Sequence, residues 1–298
     1  MRGWGDAGAA IVFAVTFGCC GVVSAGPAVV LGPDWFWSFS DRDPKPAKRD
    51  ADWVWSYPNR KADTPHKRDE NWFWSYSQAE RDKERRRAQR LMLFSGADLW
   101  RQGSFVYGGS LWAPSGFEGD GLVFKVVATR GRYRYRSGAL GDAPVEAVMF
   151  AASAMPGARF TRNGVSASIY AGFDYQVHLL SPYDPGNEVQ GRKTGVRIAL
   201  DLWYQPMPAM MTALSGTLST IGSSYALRAA AGWRILDSVF VGPEALIYGG
   251  ATHRQVRVGA HITGLNLLWC DVQAAIGYAF DTDDNRGAYA RLGVSQRW

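Results

Sequence analysis

Three carboxylates and six arginines fall on one parity of the alternating segments in the second half of this 298-residue chain. They are Asp174, Asp201 and Glu244 against Arg197, Arg228, Arg234, Arg257, Arg291 and Arg297. A guanidinium and a carboxylate form short, charge-assisted hydrogen bonds, and the planar fork of arginine can serve two acceptors at once. Gathered out of water, such a set has two possible uses. It can close a narrow polar interior as a network of ion pairs, or it can line a polar path or gate for a small solute.

A second set is aromatic. Trp35 and Trp37, Trp53 and Trp55, and Trp72 and Trp74 each stand in a Trp-x-Trp-Ser-aromatic unit preceded by Asp or Asn. The units recur at spacings of 18 and 19 residues, so they form an internal repeat. Trp-x-Trp puts both indoles on one face of an extended segment. That face can stack on sugar rings, add to a partner's sheet edge or rest at a membrane interface. Three weak sites on one tether gain through avidity.

Other chemistry is thinly represented. The four histidines are His66, His178, His253 and His261. Their spacing suggests no metal cluster, and neither a phosphate loop nor a nucleophile elbow is present, so no cofactor and no catalytic residue are expected. A membrane-embedded lipid hydrolase would need a His and a Ser facing the bilayer. Here His178 and His261 share the polar parity and His253 falls in a turn. The formal charge of +6 is not accompanied by any nucleic-acid-binding motif, so nucleic acid is not expected as a partner.

These residues need elements to hold them. From Leu91 onward the chain alternates with a period of two, the signature of half-buried strands. Val196, Ile198, Leu200, Leu202 and Tyr204 alternate with Gly195, Arg197, Ala199, Asp201 and Trp203; Tyr225, Leu227, Ala229, Ala231 and Trp233 alternate with Ala226, Arg228, Ala230, Gly232 and Arg234. Turn signals separate such runs at Pro114-Ser115-Gly116, Pro156-Gly157, Pro182 to Gly186, Gln205 to Pro208, Thr263-Gly264 and Asp281 to Asn285. The pattern predicts about twelve strands, near 92–101, 104–113, 121–136, 144–155, 164–178, 193–205, 209–221, 224–235, 239–249, 254–263, 267–280 and 287–298.

The expected fold is all-β, an antiparallel transmembrane β-barrel of about twelve strands over 91–298. An even strand count brings both ends to one side. The apolar parity would face lipid, with aromatics such as Tyr175, Tyr204, Tyr225, Trp233, Tyr278 and Trp298 near its borders. The charged parity would face a polar lumen, where neighbouring Gly and Ala leave room. Gly242-Pro243-Glu244 reads as a bulge or kink that aims Glu244 inward. A soluble sandwich also alternates, but its outer face meets water rather than lipid.

Residues 1–25 read as a signal peptide, with an apolar run from Ala9 to Val23 and small residues at Val23-Ser24-Ala25. At about 15 residues the run falls short of the roughly 20 needed to span a bilayer. Cleavage there would leave Cys270 alone, with no internal disulfide. Residues 26–90 are rich in Pro, Lys, Arg and Asp without a sustained period, and read as a disordered tail carrying the three aromatic units. The mean hydropathy of −0.19 leaves no α-helical membrane bundle to find.

The last strand, Gly287 to Trp298, alternates and stops on an aromatic. It resembles the closing strand of bacterial outer-membrane barrels, the end read by the barrel assembly machinery. Several short segments point further. They are Phe94-Ser95-Gly96-Ala97-Asp98, Phe105-Val106-Tyr107-Gly108-Gly109, Gly131-Arg132-Tyr133-Arg134-Tyr135, Ala171-Gly172-Phe173-Asp174-Tyr175-Gln176, Leu180 to Asn187 with Gly191, and Val241-Gly242-Pro243-Glu244-Ala245. In order and spacing they resemble the cellulose biosynthesis protein BcsS family of outer-membrane barrels, over roughly 91–298.

The resemblance implies a role linked to cellulose production without a defined reaction. It says nothing of the tail. The expected function is therefore a non-enzymatic outer-membrane barrel supporting cellulose biosynthesis or secretion. A small-solute porin and an outer-membrane lipid-modifying enzyme stand as alternatives. Expected partners are outer-membrane lipid, the barrel assembly machinery, and cellulose or periplasmic components of its secretion. The tail is expected in the periplasm. On this basis the charged set would be a plug or a path for a glucan end.

Overall fold

The structure, a computed structural model, describes residues 89–298 apart from 237, 251–252, 268 and 283–285. The expected signal peptide and the six repeat tryptophans lie outside the described residues. Twelve strands follow in order: β1 (Leu91–Trp100), β2 (Gly103–Trp112), β3 (Gly121–Ser137), β4 (Ala143–Arg162), β5 (Val165–Ser181), β6 (Gly191–Met207), β7 (Met210–Ser219), β8 (Ser224–Leu236), β9 (Val239–Gly249), β10 (Arg254–Leu267), β11 (Cys270–Asp281) and β12 (Arg286–Arg297). Each pairs antiparallel with its neighbours in sequence. β1 closes on β12 from Met92↔Arg297 to Trp100↔Tyr289, so the sheet has no free edge.

Side chains alternate across this wall as the sequence predicts. On β6, Val196, Ile198 and Leu200 are exposed while Arg197, Ala199 and Asp201 are buried. On β8, Leu227 and Trp233 point out, and Ala226, Arg228 and Ala230 point in. The outside is apolar and the inside carries the charges, the inverse of a soluble barrel. In hydrocarbon such a wall is stable because every backbone N–H and C=O of a closed sheet is paired within it. Aromatic side chains stand at the borders of the apolar belt: Tyr204, Trp233, Trp269 and Trp298 toward the chain termini, Tyr278 and Phe280 toward the other end.

The two ends differ. At the end holding Leu91 and Trp298, four of five connections are two residues long: 163–164, 208–209, 237–238 and 268–269. The opposite end carries the longest connection, 182–190, between β5 and β6.

Three predicted turns lie inside strands. β4 runs straight through Pro156-Gly157, and the turn comes at Asn163-Gly164, where φ is 46° and 83°. Positive φ at both positions is what a two-residue type I′ hairpin requires, and Asn-Gly supplies it cheaply. The β4–β5 ladder is interrupted between Ala154↔Phe173 and Gly157↔Tyr170, which accommodates the missing N–H of Pro156. Thr263-Gly264 sits in β10 as a register shift, and the turn follows at 268–269. β6 absorbs Gln205 and Pro206 in another shift between Tyr204 and Met207.

Gly242-Pro243-Glu244, by contrast, shows no register shift and is not the expected bulge or kink. Glu244 faces inward by ordinary alternation with Leu246 and Tyr248. Pro243 interrupts only the β8 side of β9, where pairing passes from Ala230↔Glu244 to Trp233↔Val241. His261 Nε2 on β10 lies 3.1 Å from the Ala231 carbonyl, in register with Pro243, and its ring N–H supplies a donor that proline lacks.

Candidate functional site in the barrel lumen

The lumen is built from strands that meet across the barrel as well as along the wall. Glu244 on β9 receives Arg228 of β8 at 3.0 Å and Arg291 of β12 at 2.6 Å. Tyr289 donates its hydroxyl to the same carboxylate at 2.9 Å. One carboxylate thus holds a guanidinium from the adjacent strand and another from three strands away, all within a few per cent of complete burial.

A second group centres on Arg257 of β10. Its Nη1 bonds both oxygens of Asp98 on β1, at 2.8 and 3.0 Å, and its Nε donates to Gln255 at 2.7 Å. Trp100, Tyr248 and Tyr289 surround the guanidinium, with ring centroids 4.6, 4.8 and 5.3 Å from its carbon. Stacked rings satisfy the faces of a cation whose edges are already hydrogen-bonded.

A third group runs along the barrel. Arg197 Nη2 lies 3.0 Å from Asp174, which also accepts from Ser219 at 2.6 Å and Gln176 at 2.9 Å. His178 Nε2 donates to the Gln176 oxygen at 3.0 Å, which leaves Nδ1 of a neutral ring to accept from the Tyr133 hydroxyl at 2.8 Å. Tyr133 stacks on Tyr135 at 6.3 Å, and Tyr135 donates to Asp184 in the 182–190 connection at 2.6 Å. Asn187 of the same connection donates to Tyr135 at 2.6 Å. A continuous chain of contacts therefore joins a buried ion pair in the wall to the longest loop.

A fourth pair, Lys125 on β3 with Asp201 on β6 at 3.0 Å, lies beside Tyr170.

Of the nine charges predicted, Asp174, Arg197, Asp201, Arg228, Glu244, Arg257 and Arg291 enter these groups. Arg234 and Arg297 stack on aromatic rings instead. They lie toward the terminal end, Arg234 over Phe240 at 5.0 Å and Arg297 over Phe117 at 5.3 Å. Asp98, Lys125, Tyr133, Tyr248 and Tyr289 join these groups without being among the predicted charges, although Asp98 and Tyr133 stand in the family-like segments. Asp98 carried a signal, because it alternates with the outward Leu99 and Ala97 of β1. Lys125 carried none: its flanks Val123, Phe124, Val126 and Val127 are apolar on both parities. The room expected beside the charges is taken up. Gly131 lies against the Phe105 ring, and Ala230 packs with Trp203, Met211 and Phe240.

The loop end is fastened by Asp184. Burial alone would push its carboxyl up, but hydrogen bonds from Tyr135, Ser137 and the Gly186 N–H outweigh burial and hold it below its usual range. Among the described residues, no group of three or more His, Cys, Asp or Glu side chains is placed to hold a metal ion. His178 and His261 face the lumen, and His253 is buried near the loop end.

A closed antiparallel wall, apolar outside and ion-paired inside, defines a membrane β-barrel with a filled interior. The chain belongs to the cellulose biosynthesis protein BcsS family, whose pattern matches residues 92–298. No curated protein matches the sequence. Among solved structures, the chain is similar to the KdgM porin, at 12% identity over 69% of this chain and 98% of that one, with a TM-score of 0.38. It is also similar to the translocator domain of the autotransporter NalP from Neisseria meningitidis, at 12% identity over 76% and 98%, with a TM-score of 0.43. The beta domain of the Bordetella autotransporter BrkA gives 12% identity over 71% and 100%, with a TM-score of 0.43.

Proposed function

We propose that this chain is a non-enzymatic outer-membrane barrel that supports cellulose biosynthesis or secretion as an anchor or assembly factor. What carries the proposal is the family match, which spans the whole barrel from 92 to 298. The filled lumen favours an anchor over a conduit. Asp174, Arg197, Arg228, Glu244, Arg257 and Arg291 are each no more than 4% accessible, whereas the lining of an open pore is wet. The inward His178 and His261 lend no support to a lipid-modifying enzyme.

Sidedness follows from the connections. Outer-membrane barrels keep short turns on the periplasmic side and longer loops outside. The tail joins the barrel at the short-turn end, where Arg90 N–H bonds the Trp298 carbonyl at 2.7 Å. The three Trp units would thus meet periplasmic glucan or periplasmic secretion components.

Deletion of the gene tests the proposal. Secreted cellulose should fall while glucan synthesis by isolated inner membranes persists. Restoration with a chain lacking the six repeat tryptophans separates the tail from the barrel. Unchanged secreted cellulose in the deletion strain would refute the proposal.

A further inference from the structure

The segment Gly131-Arg132-Tyr133-Arg134-Tyr135 has one face that the lumen does not use. Tyr133 and Tyr135 point inward and are locked by His178 and Asp184. The opposite parity of β3 changes character along its length. Leu122, Phe124, Val126 and Ala128 come first, then Arg130, Arg132, Arg134 and Arg136, all turned outward. Four arginines at every second residue extend over about 20 Å.

Arg134 stands opposite Glu146, but the partners of Arg130 and Arg132 on the outer face are apolar or small. Arg130 stands opposite Val106 of β2 and Phe150 of β4; Arg132 stands opposite Ser104 and Val148. The belt continues from there, with Phe150 opposite Val177 and Val148 opposite Leu179 on β5. Val177 is in turn opposite Arg192 on β6. Arg130 and Arg192 therefore flank two apolar side chains at one level of the ladder, three strand spacings or about 14 Å apart. Among the described residues Arg130 and Arg132 form no ion pair. Arg134 pairs with Glu146 at 2.6 Å, and Arg136 donates to the Asp142 carbonyl at 3.1 Å.

A guanidinium beside lipid-facing Phe, Val and Leu is costly unless it reaches the headgroup layer and finds an anion there. Arginine suits phosphate because its fork bonds two oxygens at once. We infer that Arg130, Arg132 and Arg192 form a site for the phosphates of an outer-leaflet lipid headgroup, with its acyl chains running past Phe150 and Val177 toward the outward Phe173. The paired wall holds the arginines in fixed register, so the site is preformed. The inference rests on the sidedness proposed above.

The test uses the full chain in detergent micelles, titrated with bisphosphorylated lipid A and with the same lipid stripped of phosphate. Wild type should prefer the phosphorylated form. Arg130→Gln with Arg132→Gln should weaken that binding about thirtyfold, the effect of two arginines near a charged surface. Arg254→Gln with Arg286→Gln, at the same end but away from β3 to β6, should leave it within about threefold, as distant surface charges are screened. Heat-modifiable migration in gels shows whether each variant is folded. Equal affinity for both lipids, or a folded Arg130/Arg132 variant that binds like wild type, would overturn the site.

Sidedness is read separately. A Glu188→Cys, Cys270→Ser chain is exposed on intact cells to a membrane-impermeant maleimide. Labelling with failed lipid discrimination refutes the site and keeps the topology. Absence of labelling refutes both.

Discussion

At the scale of single residues, Glu244 carries the heaviest duty, because two buried arginines depend on one carboxylate. Removing one partner of a buried pair leaves an uncompensated charge, at a cost of about 3–5 kcal/mol. Glu244→Gln should therefore lower the urea stability of the refolded barrel in vesicles by about that amount. Arg134→Gln breaks an exposed pair and should cost less than about 1 kcal/mol. Similar effects from both would mean that the lumen is more hydrated than its packing indicates.

Asp184 gives a pH dependence with a definite sign. Its folded carboxyl titrates below the ordinary value, so it stabilises the loop above the unfolded pKa of about 3.9 and loses this as pH falls through the folded value. A spin label at Glu188 should be immobile at neutral pH and loosen only below about pH 4. In Asp184→Asn it should be mobile at neutral pH already. A label insensitive to acid would show that the loop does not depend on this carboxylate.

At the scale of elements, period-two alternation made all twelve strands legible, since a membrane barrel needs opposite chemistry on successive residues. Strand ends were harder where Pro and Gly occur inside a strand. Pro156 and Pro243 sit within strands because a long ladder tolerates a local gap on one side. Gly264 marks a shift of register rather than a turn. Asn163-Gly164 is the real hairpin signal, because Asn-Gly accepts positive φ at both positions while Pro156-Gly157 continues the strand. The register itself is testable on β8. Ala229→Arg places a charge toward lipid and should cost about 2–4 kcal/mol near mid-membrane. Ala230→Arg places the charge in the lumen instead, at a site packed against Trp203, Met211 and Phe240. It should destabilise too, through overpacking of about 1–3 kcal/mol, and Ala230→Ser should not. A barrel indifferent to Ala229→Arg would contradict the assignment of faces.

At the scale of the whole molecule, the charged lumen was legible as a set but not as a wiring diagram. Alternation tells which way a side chain points. Which strands meet across the barrel follows from closure and stagger, which join β9 to β12 through Glu244 and Arg291, and β1 to β10 through Asp98 and Arg257. Strand parity also hid Lys125, which stands among apolar residues on both faces. Function was legible only through the family segments, since neither the charges nor the tryptophans specify a polymer.

The proposal of a supporting barrel rather than a conduit rests on the filled lumen, and planar-bilayer conductance of the purified full chain tests it directly. Wild type should insert without a steady ohmic current, whereas a chain with Arg228, Glu244 and Arg291 all replaced by Ala should pass one, because the cross-lumen cluster is gone. A steady open-pore current from the wild-type chain, matched by the triple variant, would contradict a closed supporting barrel.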